Sequence, residues 1–295
     1  MIRIEEQKFM SRKLYRYISM EDFVNLVVNN KDRFSSPTVW DDRYEGYLFS
    51  RMEKNDELKI IIGKLYDYLS PENPYAVINN YFRMWHSKWY TYVQCWSKNA
   101  DTDAMWRCYS YENRAIRIKT SESKLLKHAK QTFLEKDGFE VYLNKIKYDL
   151  KKKDTVDQLI KQMEYTKRIN ETYFHKRPVF KHEGEYRLII ADNRTFSVEY
   201  LSAIMAKDQV KNNIKDEMPP EEIVKCLTES IIDKRREWNK PENDIIIEDA
   251  GNISEYIESV MVHPLAQDWY VEIIKDICAA KKIKFEGKSK IYMIK

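Results

Sequence analysis

Residues 183–191 constrain the fold most, because their pattern is typical of a buried β-strand. The segment reads EGEYRLIIA, in which charged and apolar residues alternate before an aliphatic run. Successive side chains of a strand point to opposite faces. Glu183, Glu185 and Arg187 are therefore expected on one face, with the aromatic and aliphatic residues between them on the other. The pattern predicts the central strand of a sheet.

Further strands and helices are predicted on both sides of this segment. Aromatic and β-branched residues predict strands at 14–17, 90–97, 115–119, 256–262 and 290–294. Helical periodicity or capping residues predict helices that start near 19, 75, 104, 154, 220 and 268. The helix that starts at 154 is expected to run to 174, interrupted only by a weak middle turn, with Pro178 forcing an extended exit. Residues 34–45 are expected to form an ordered loop, because turn formers and Pro37 interrupt regular structure.

These elements predict an α+β protein. We expect one mixed domain over residues 14–295, with a mostly antiparallel central sheet flanked by helices, after a charged leader at 1–13. The tail repeats a strand-helix-strand order, in which Asp268 is expected to cap the helix. No internal repeat or low-complexity linker divides the chain.

Composition excludes several classes of protein. The sequence has 33% charged residues and no apolar run of the roughly 20 residues that a bilayer requires. Its N-terminus carries charges where a signal peptide would be apolar, and four cysteines are scattered without a CxxC pair. We therefore expect a soluble cytoplasmic protein without membrane association. The net charge of +4 does not by itself indicate nucleic-acid binding.

The common catalytic signatures are missing from the sequence. Six glycines form neither a GxGxxG fingerprint nor a phosphate-binding loop, and the five histidines lack the spacing of metal ligands. GxSxG, HExxH and zinc deaminase patterns are missing as well. Chemistry therefore has to come from less regular arrangements of polar and aromatic residues.

Three short motifs contain the candidate site residues. In the first, Tyr17 follows Arg16 on a predicted strand, and alternation places their side chains on opposite faces. In the second, Trp106 and Tyr109 are three residues apart and share a helix face. Such a pair forms either part of the core or a platform for a flat ring.

The third motif contains Glu183, Glu185 and Arg187. On one strand face, these groups form either a solvated ion pair or a site in which each shifts the protonation of the others. Asp41, Asp42 and Glu45 form an acidic loop that could join the two glutamates around a hard metal ion. A loop of this composition is more often a solvated turn, and a metal ion stays a minority option.

The chain resembles a bacterial family catalogued as domain of unknown function 2971. The resemblance rests on LYRY at 14–17, FSSPTVWDDRYEG at 34–46, CWSKNADTDAMWRCYS at 95–110 and FKHEGEYRLI at 180–189, and extends to VMVHPLAQDWYVEIIKDI at 260–277. It covers residues 14–285, which favours a single domain.

The order of these motifs along the chain also resembles, more distantly, that of the ADP-ribosyltransferase superfamily. The resemblance implies that NAD is a co-substrate, with Arg16 and Tyr17 at its ribose or phosphates and with Tyr109, near Trp106, stacked on nicotinamide. Glu185 would stabilise the ribosyl cation. Glu183 would activate the acceptor, and Arg187 would hold Glu185 in place.

The implied function is ADP-ribosyl transfer, or NAD glycohydrolysis, in a bacterial toxin or an anti-phage defence protein. The acceptor would be a macromolecule, either nucleic acid or protein. Two alternatives remain open at this point. One is a metal-dependent nuclease that uses the acidic loop with the two glutamates. The other is a non-catalytic module that senses a nucleotide or a partner.

Overall fold

The computed structural model describes residues 12–69, 74–110, 112–133, 136–150, 155–166, 168–194, 206–215, 218–235 and 241–293. Within these residues, nine strands form one sheet. They are β1 Lys13–Ile18, β2 Lys31–Ser35, β3 Thr91–Ser97, β4 Ile116–Ser121, β5 Phe139–Lys145, β6 Glu185–Asp192, β7 Ile245–Asp249, β8 Ser259–Val262 and β9 Lys284–Lys288.

Helices lie between these strands. They are α1 Met20–Val27, α2 Tyr47–Arg51, α3 Asn55–Leu69, α4 Pro74–Trp89, α5 Asp103–Tyr109, α6 Glu122–Phe133, α7 Thr155–Thr166, α8 (206–213), α9 Pro220–Arg235, α10 Ile253–Tyr256 and α11 Asp268–Ala280. Short 3-10 helices span Pro37–Val39, Ile169–Phe174 and Pro178–Glu183.

The sheet has the order β5-β6-β3-β1-β4-β8-β9 and branches at β3. One edge of β3 pairs with β6, and the other edge is shared, since β1 pairs at Ser97 and β2 pairs at Val93. The ribbon of β2 and β7 leaves the sheet at this branch. All pairs are antiparallel except β8 with β9, which α11 connects. The predicted α+β class with a mostly antiparallel sheet is confirmed.

Two apolar cores cover the two faces of the sheet. On one face, α2, α3, α4, α7 and α9 pack over β3 and β6 around Val93 and Ile189. On the other face, α1, α6 and α11 pack against β1, β3, β4 and β8. β6 is buried along its whole length because both cores contact it. Burial on both faces makes β6 a central strand, as its sequence predicts.

Several local predictions are confirmed by the structure. Ser19 caps α1 by accepting a hydrogen bond from the Asp22 amide. The helices predicted near 75 and 104 are α4 and α5, and the helix predicted after the prolines is α9. The strands predicted at 14–17, 90–97 and 115–119 are β1, β3 and β4. These segments had the clearest periodicity or capping signal.

The prediction that Glu183, Glu185 and Arg187 form one strand row is wrong. Glu183 ends the 3-10 helix Pro178–Glu183, and Gly184 has a left-handed backbone with φ of 55°. β6 therefore begins only at Glu185. A left-handed residue breaks the alternation of side chains, so the strand pattern cannot extend back through it.

The helix predicted at 154–174 is confirmed only as far as Thr166, and the weak turn expected in its middle is a full break. α7 ends at Thr166, Arg168 is extended, and the 3-10 helix Ile169–Phe174 follows. This break turns Tyr173 and Phe174 into the core beside α2 and α4. The extended exit lies before Pro178, which itself begins a 3-10 turn.

The remaining differences concern boundaries. The predicted loop at 34–45 begins inside β2, and Tyr256 ends α10 instead of starting β8. Gln267, not Asp268, is the N-cap of α11. The last strand is β9, so the strand predicted at 290–294 is wrong for 290–293, and residue 294 lies outside the described residues. Residues 1–11 of the predicted leader lie outside them too. Among the described helices, none has the length and apolar character that crossing a bilayer requires.

Gly46→Ala is expected to lower the free energy of unfolding by about 2 kcal/mol or more. Gly46 has φ of +65°, and an added Cβ would lie 2.4 Å from the Tyr173 ring. Urea denaturation measures the change. The matched control is Gly63→Ala within α3, where the nearest atom is 3.9 Å away. Alanine there should raise stability by about 0.5–1 kcal/mol. Equal effects at both positions would contradict the prediction.

Candidate functional site

The guanidinium of Arg187 is the centre of a buried ionic cluster. It extends from β6 and is fully buried. Its Nε donates to Glu185 Oε1 at 2.7 Å, and its Nη2 donates to Glu45. Its Nη1 donates to the Tyr173 carbonyl at 2.6 Å. The Trp40 ring lies 4.6 Å from the guanidinium carbon. One cation thus connects β6 to two loops.

Lys176 is the second cation of the cluster and brings three carboxylates together. Its Nζ lies 2.6 Å from Glu183, 3.0 Å from Glu45 and 3.1 Å from Glu185. Lys176 lies two residues after the end of the 3-10 helix Ile169–Phe174. Glu183 and Glu185 therefore meet through Lys176, although they do not share a strand face. Three carboxylates and two cations make up the group, which we call the Arg187 cluster.

The pKa values of Glu183 and Glu185 shift in opposite directions. Burial raises the pKa of Glu185, but the charges of Arg187 and Lys176 outweigh burial and lower it to about 2. Burial also raises the pKa of Glu183, and there Lys176 does not compensate. Glu185 therefore remains an anion, whereas Glu183 is the carboxyl that takes up a proton more readily. This difference in pKa suits an electrostatic role for Glu185 and an acid-base role for Glu183.

Tyr109 comes close to this cluster. It ends α5, which packs against the 3-10 helix Pro178–Glu183. The residue is 42% exposed. Burial of its phenol, together with the nearby Cys95, Glu185 and Glu183, raises the pKa of Tyr109. The second and third sequence motifs therefore meet at the same end of the sheet.

Trp106 and Tyr17 are part of a core behind Tyr109. Trp106 is fully buried, and its Nε1 donates to Asp101 at 2.5 Å. The ring centroids of Tyr17 and Trp106 are 4.9 Å apart, and those of Tyr17 and Tyr109 are 6.2 Å apart. Tyr109 is thus the member of this aromatic group that a ligand can reach, and the other two support it.

Arg16 lies on the opposite face of the sheet. Tyr15 is paired with Ser97, which is paired with Glu185, so these three residues share one face and Arg16 points to the other. There its Nη1 forms an ion pair with Asp32 at 2.8 Å. The structure therefore does not bring Arg16 together with the two glutamates.

The acidic loop is divided between two environments. Glu45 belongs to the Arg187 cluster, whereas Asp42 pairs with Arg177 at 3.1 Å and Asp41 is exposed. Lys176 lies among the three clustered carboxylates, where a metal ion would otherwise have to lie. In the described part of the chain, no group of three or more potential ligands is arranged to hold a metal ion.

A second buried cluster holds the segment that supplies Lys176. Glu171 is fully buried and pairs with Lys147 at 2.9 Å and with Arg168 at 3.1 Å. His175 lies 2.6 Å from Asp149. Burial lowers the pKa of His175, but the Asp149 and Glu171 carboxylates beside its ring nitrogens outweigh burial and raise it. Residues 168–176 are therefore anchored on one side by this cluster and on the other by the Arg187 cluster.

Sequence reasoning missed Lys176 and Trp40, both of which contact the cluster directly. Lys176 lies in the basic run HKR, which has no distinctive spacing. Trp40 precedes the acidic loop, so its position was visible but its contact with Arg187 was not. Cys95 was also missed, although it is paired with Arg187 across β3 and β6. Burial raises the pKa of the Cys95 thiol, which does not favour a nucleophilic thiolate.

The fold and the cluster define a mixed α+β protein with paired glutamates at one end of a branched sheet. The family model described as protein of unknown function (DUF2971) matches residues 105–188. This match confirms the resemblance to that family over a stretch that begins in α5 and ends in β6. It includes Tyr109, Glu183, Glu185 and Arg187. The comparisons with curated proteins and with solved structures find no match.

Arg187→Met is expected to cost about 3–5 kcal/mol of stability, because Glu185 and Glu45 stay buried but lose their guanidinium partner. Chemical denaturation measures the loss. A second change, Glu185→Gln in the same chain, should restore part of the stability by removing one unpaired charge. Arg107→Met, which breaks an exposed ion pair, should have no measurable effect. Wild-type stability of Arg187→Met would contradict the structural role of the cluster.

Stability is expected to fall as pH decreases from about 5 to 2. The pKa of Glu185 is about 2 in the folded protein, against an ordinary value of 4.5. The unfolded chain therefore binds more protons in this window, and the stabilisation is lost as pH falls. Glu185→Gln should flatten the profile. Glu183→Gln should make the loss of stability with falling pH steeper, because the folded state raises the pKa of Glu183. Urea titrations across this range are the measurement. Identical slopes in all three proteins would refute the prediction.

Proposed function

We propose that the protein binds NAD, breaks its nicotinamide-ribose bond and transfers ADP-ribose to a macromolecule or to water. The supporting observation is that α5, which ends at Tyr109 of the middle motif, packs against the 3-10 helix that ends at Glu183 of the late motif, two residues before Glu185. The resemblance to ADP-ribosyltransferases implies the same combination, an aromatic ring for nicotinamide and a pair of glutamates for the ribose and the acceptor.

The proposed step is heterolytic. Nicotinamide leaves with the electron pair of the bond to C1′, which neutralises its ring, and the ribose becomes an oxocarbenium ion. Glu185 is suited to stabilise this cation, because its low pKa keeps it charged. The acceptor hydroxyl or water then bonds to C1′ and gives its proton to Glu183, whose raised pKa suits a general base.

The other residues of the site have supporting roles in this proposal. Tyr109 is 42% exposed, which leaves part of its side chain for nicotinamide to stack on. Arg187 holds the Glu185 carboxylate by two hydrogen bonds. Glu185 is only 4% exposed, so NAD must displace Lys176 from between Glu183 and Glu185 to reach it. Binding of NAD is therefore coupled to opening of the Arg187 cluster.

A non-catalytic sensing module is the second candidate. It is favoured by the complete pairing of Glu185, whose two oxygens both accept hydrogen bonds from cations. Such a carboxylate is suited to holding structure as well as to catalysis. The nuclease alternative has less support, because Lys176 already neutralises the carboxylates that would bind a metal ion.

Nicotinamide release and calorimetric NAD binding test the proposal. Wild-type protein should bind NAD and release nicotinamide, and Glu185→Gln should lower release by about 100-fold or more while retaining binding. Glu183→Gln should slow transfer to an acceptor more than hydrolysis. Tyr109→Leu should weaken NAD binding.

The matched control is Asp32→Asn, which changes a buried, paired carboxylate on the opposite face of the sheet. Circular dichroism establishes that each variant is folded. Binding without release in the wild type would favour the sensing module. The absence of both binding and release at high protein concentration would overturn the proposed function.

A further inference from the structure

A cavity of about 620 Å³ lies between the loop that follows β2 and the end of α4. Its volume is within the range of small-molecule sites. Residues 37–47 form one wall, α2 and the turn after it form the second, and Lys88, Trp89 and Tyr173 close the third. The cavity shares Glu45 with the Arg187 cluster, but Tyr109, Glu183 and Glu185, on which the proposed NAD cleavage depends, do not line it.

Aromatic side chains give this cavity a flat apolar surface. Trp40 is half-buried and lines it, with the guanidinium of Arg187 packed against the same ring. Tyr44 and Tyr47 stack with centroids 5.6 Å apart. The guanidinium groups of Arg177 and Arg51 pack against these two rings, so Trp40 is the aromatic surface to which the proposal assigns the base. Trp89 is nearly buried at the far wall. A planar heterocycle is the ligand group that such walls accommodate.

The charges around the cavity favour an anion. Its three acidic residues are already paired, Asp42 with Arg177, Glu45 with Lys176 and Glu53 with Lys88. Arg43 also lines the cavity and is exposed, and within the described residues it has no ion-pair or hydrogen-bond partner. A free guanidinium at the rim suits a phosphate, which it can bind by two parallel hydrogen bonds.

We propose that this cavity binds a nucleoside monophosphate, or the nucleoside-phosphate part of a larger nucleotide, with the base on Trp40 and the phosphate on Arg43. Glu45 and Trp40 belong both to the cavity wall and to the surroundings of Arg187. A ligand in the cavity would therefore contact Glu45 and Trp40, two residues that also contact Arg187.

Equilibrium binding of the four ribonucleoside monophosphates and of their uncharged nucleosides tests this proposal. At least one monophosphate should bind about tenfold or more tightly than its nucleoside. Arg43→Gln should remove that difference by weakening the monophosphate alone. Trp40→Leu should weaken both. The matched control is Arg33→Gln, which removes an exposed arginine from β2, outside the cavity.

The proposal fails if no monophosphate binds at millimolar concentration. It also fails if nucleosides bind as tightly as their monophosphates, or if Arg43→Gln binds like the wild type. Nicotinamide release by Tyr109→Leu reports on the NAD-cleaving site, whereas monophosphate binding by Arg43→Gln reports on the cavity. Each proposal can therefore fail without the other.

Discussion

The buried guanidinium of Arg187 is the interaction on which the site depends. It is attached to a strand that both cores bury, so its backbone has little freedom. Its four contacts then fix one strand neighbour, Glu185, and two distant segments through Glu45 and the Tyr173 carbonyl. A buried charge requires partners because its desolvation is expensive. The loops are held in place by that requirement.

Ion pairs with Arg187 and Lys176 explain why the buried carboxylate of Glu185 remains ionised. Glu185 is shielded from water, and without Arg187 and Lys176 burial would favour its neutral form. Glu183 has one of these cations within contact distance and keeps a raised pKa. Two glutamates that are two residues apart thus acquire different proton affinities from the number of cations that each contacts.

The sequence was sufficient for the class of fold and for the central strand. β6 alternates and is β-branched, and α1 has a visible cap, so local chemistry dictates both. The prediction that Glu183 and Glu185 share a strand face was wrong because the backbone of Gly184 is left-handed. Glycine permits this conformation but does not require it.

The candidate site was only partly predictable, because contacts between distant segments help to form it. Glu185, Arg187 and Tyr109 were found from their patterns, whereas the role of Lys176 depends on the break after α7, which brings it to the cluster. The sequence indicates only a weak turn in the middle of that segment, not a break that ends the α-helix. Arg16 was expected at the ligand, but alternation along β1 places it beneath the sheet with Asp32. Contacts between distant segments decide these positions.

The branch of the sheet at β3 has a consequence for the order of folding. β1 precedes the other described strands in the chain, yet it pairs with β3 and β4, whose partner residues follow about 80 to 110 positions later. β2 must wait longer still, because its main partner is β7, at 245–249. On the ribosome, the N-terminal strands therefore remain without their sheet until most of the chain has emerged, which is the interval when a non-local sheet is most exposed to misassembly.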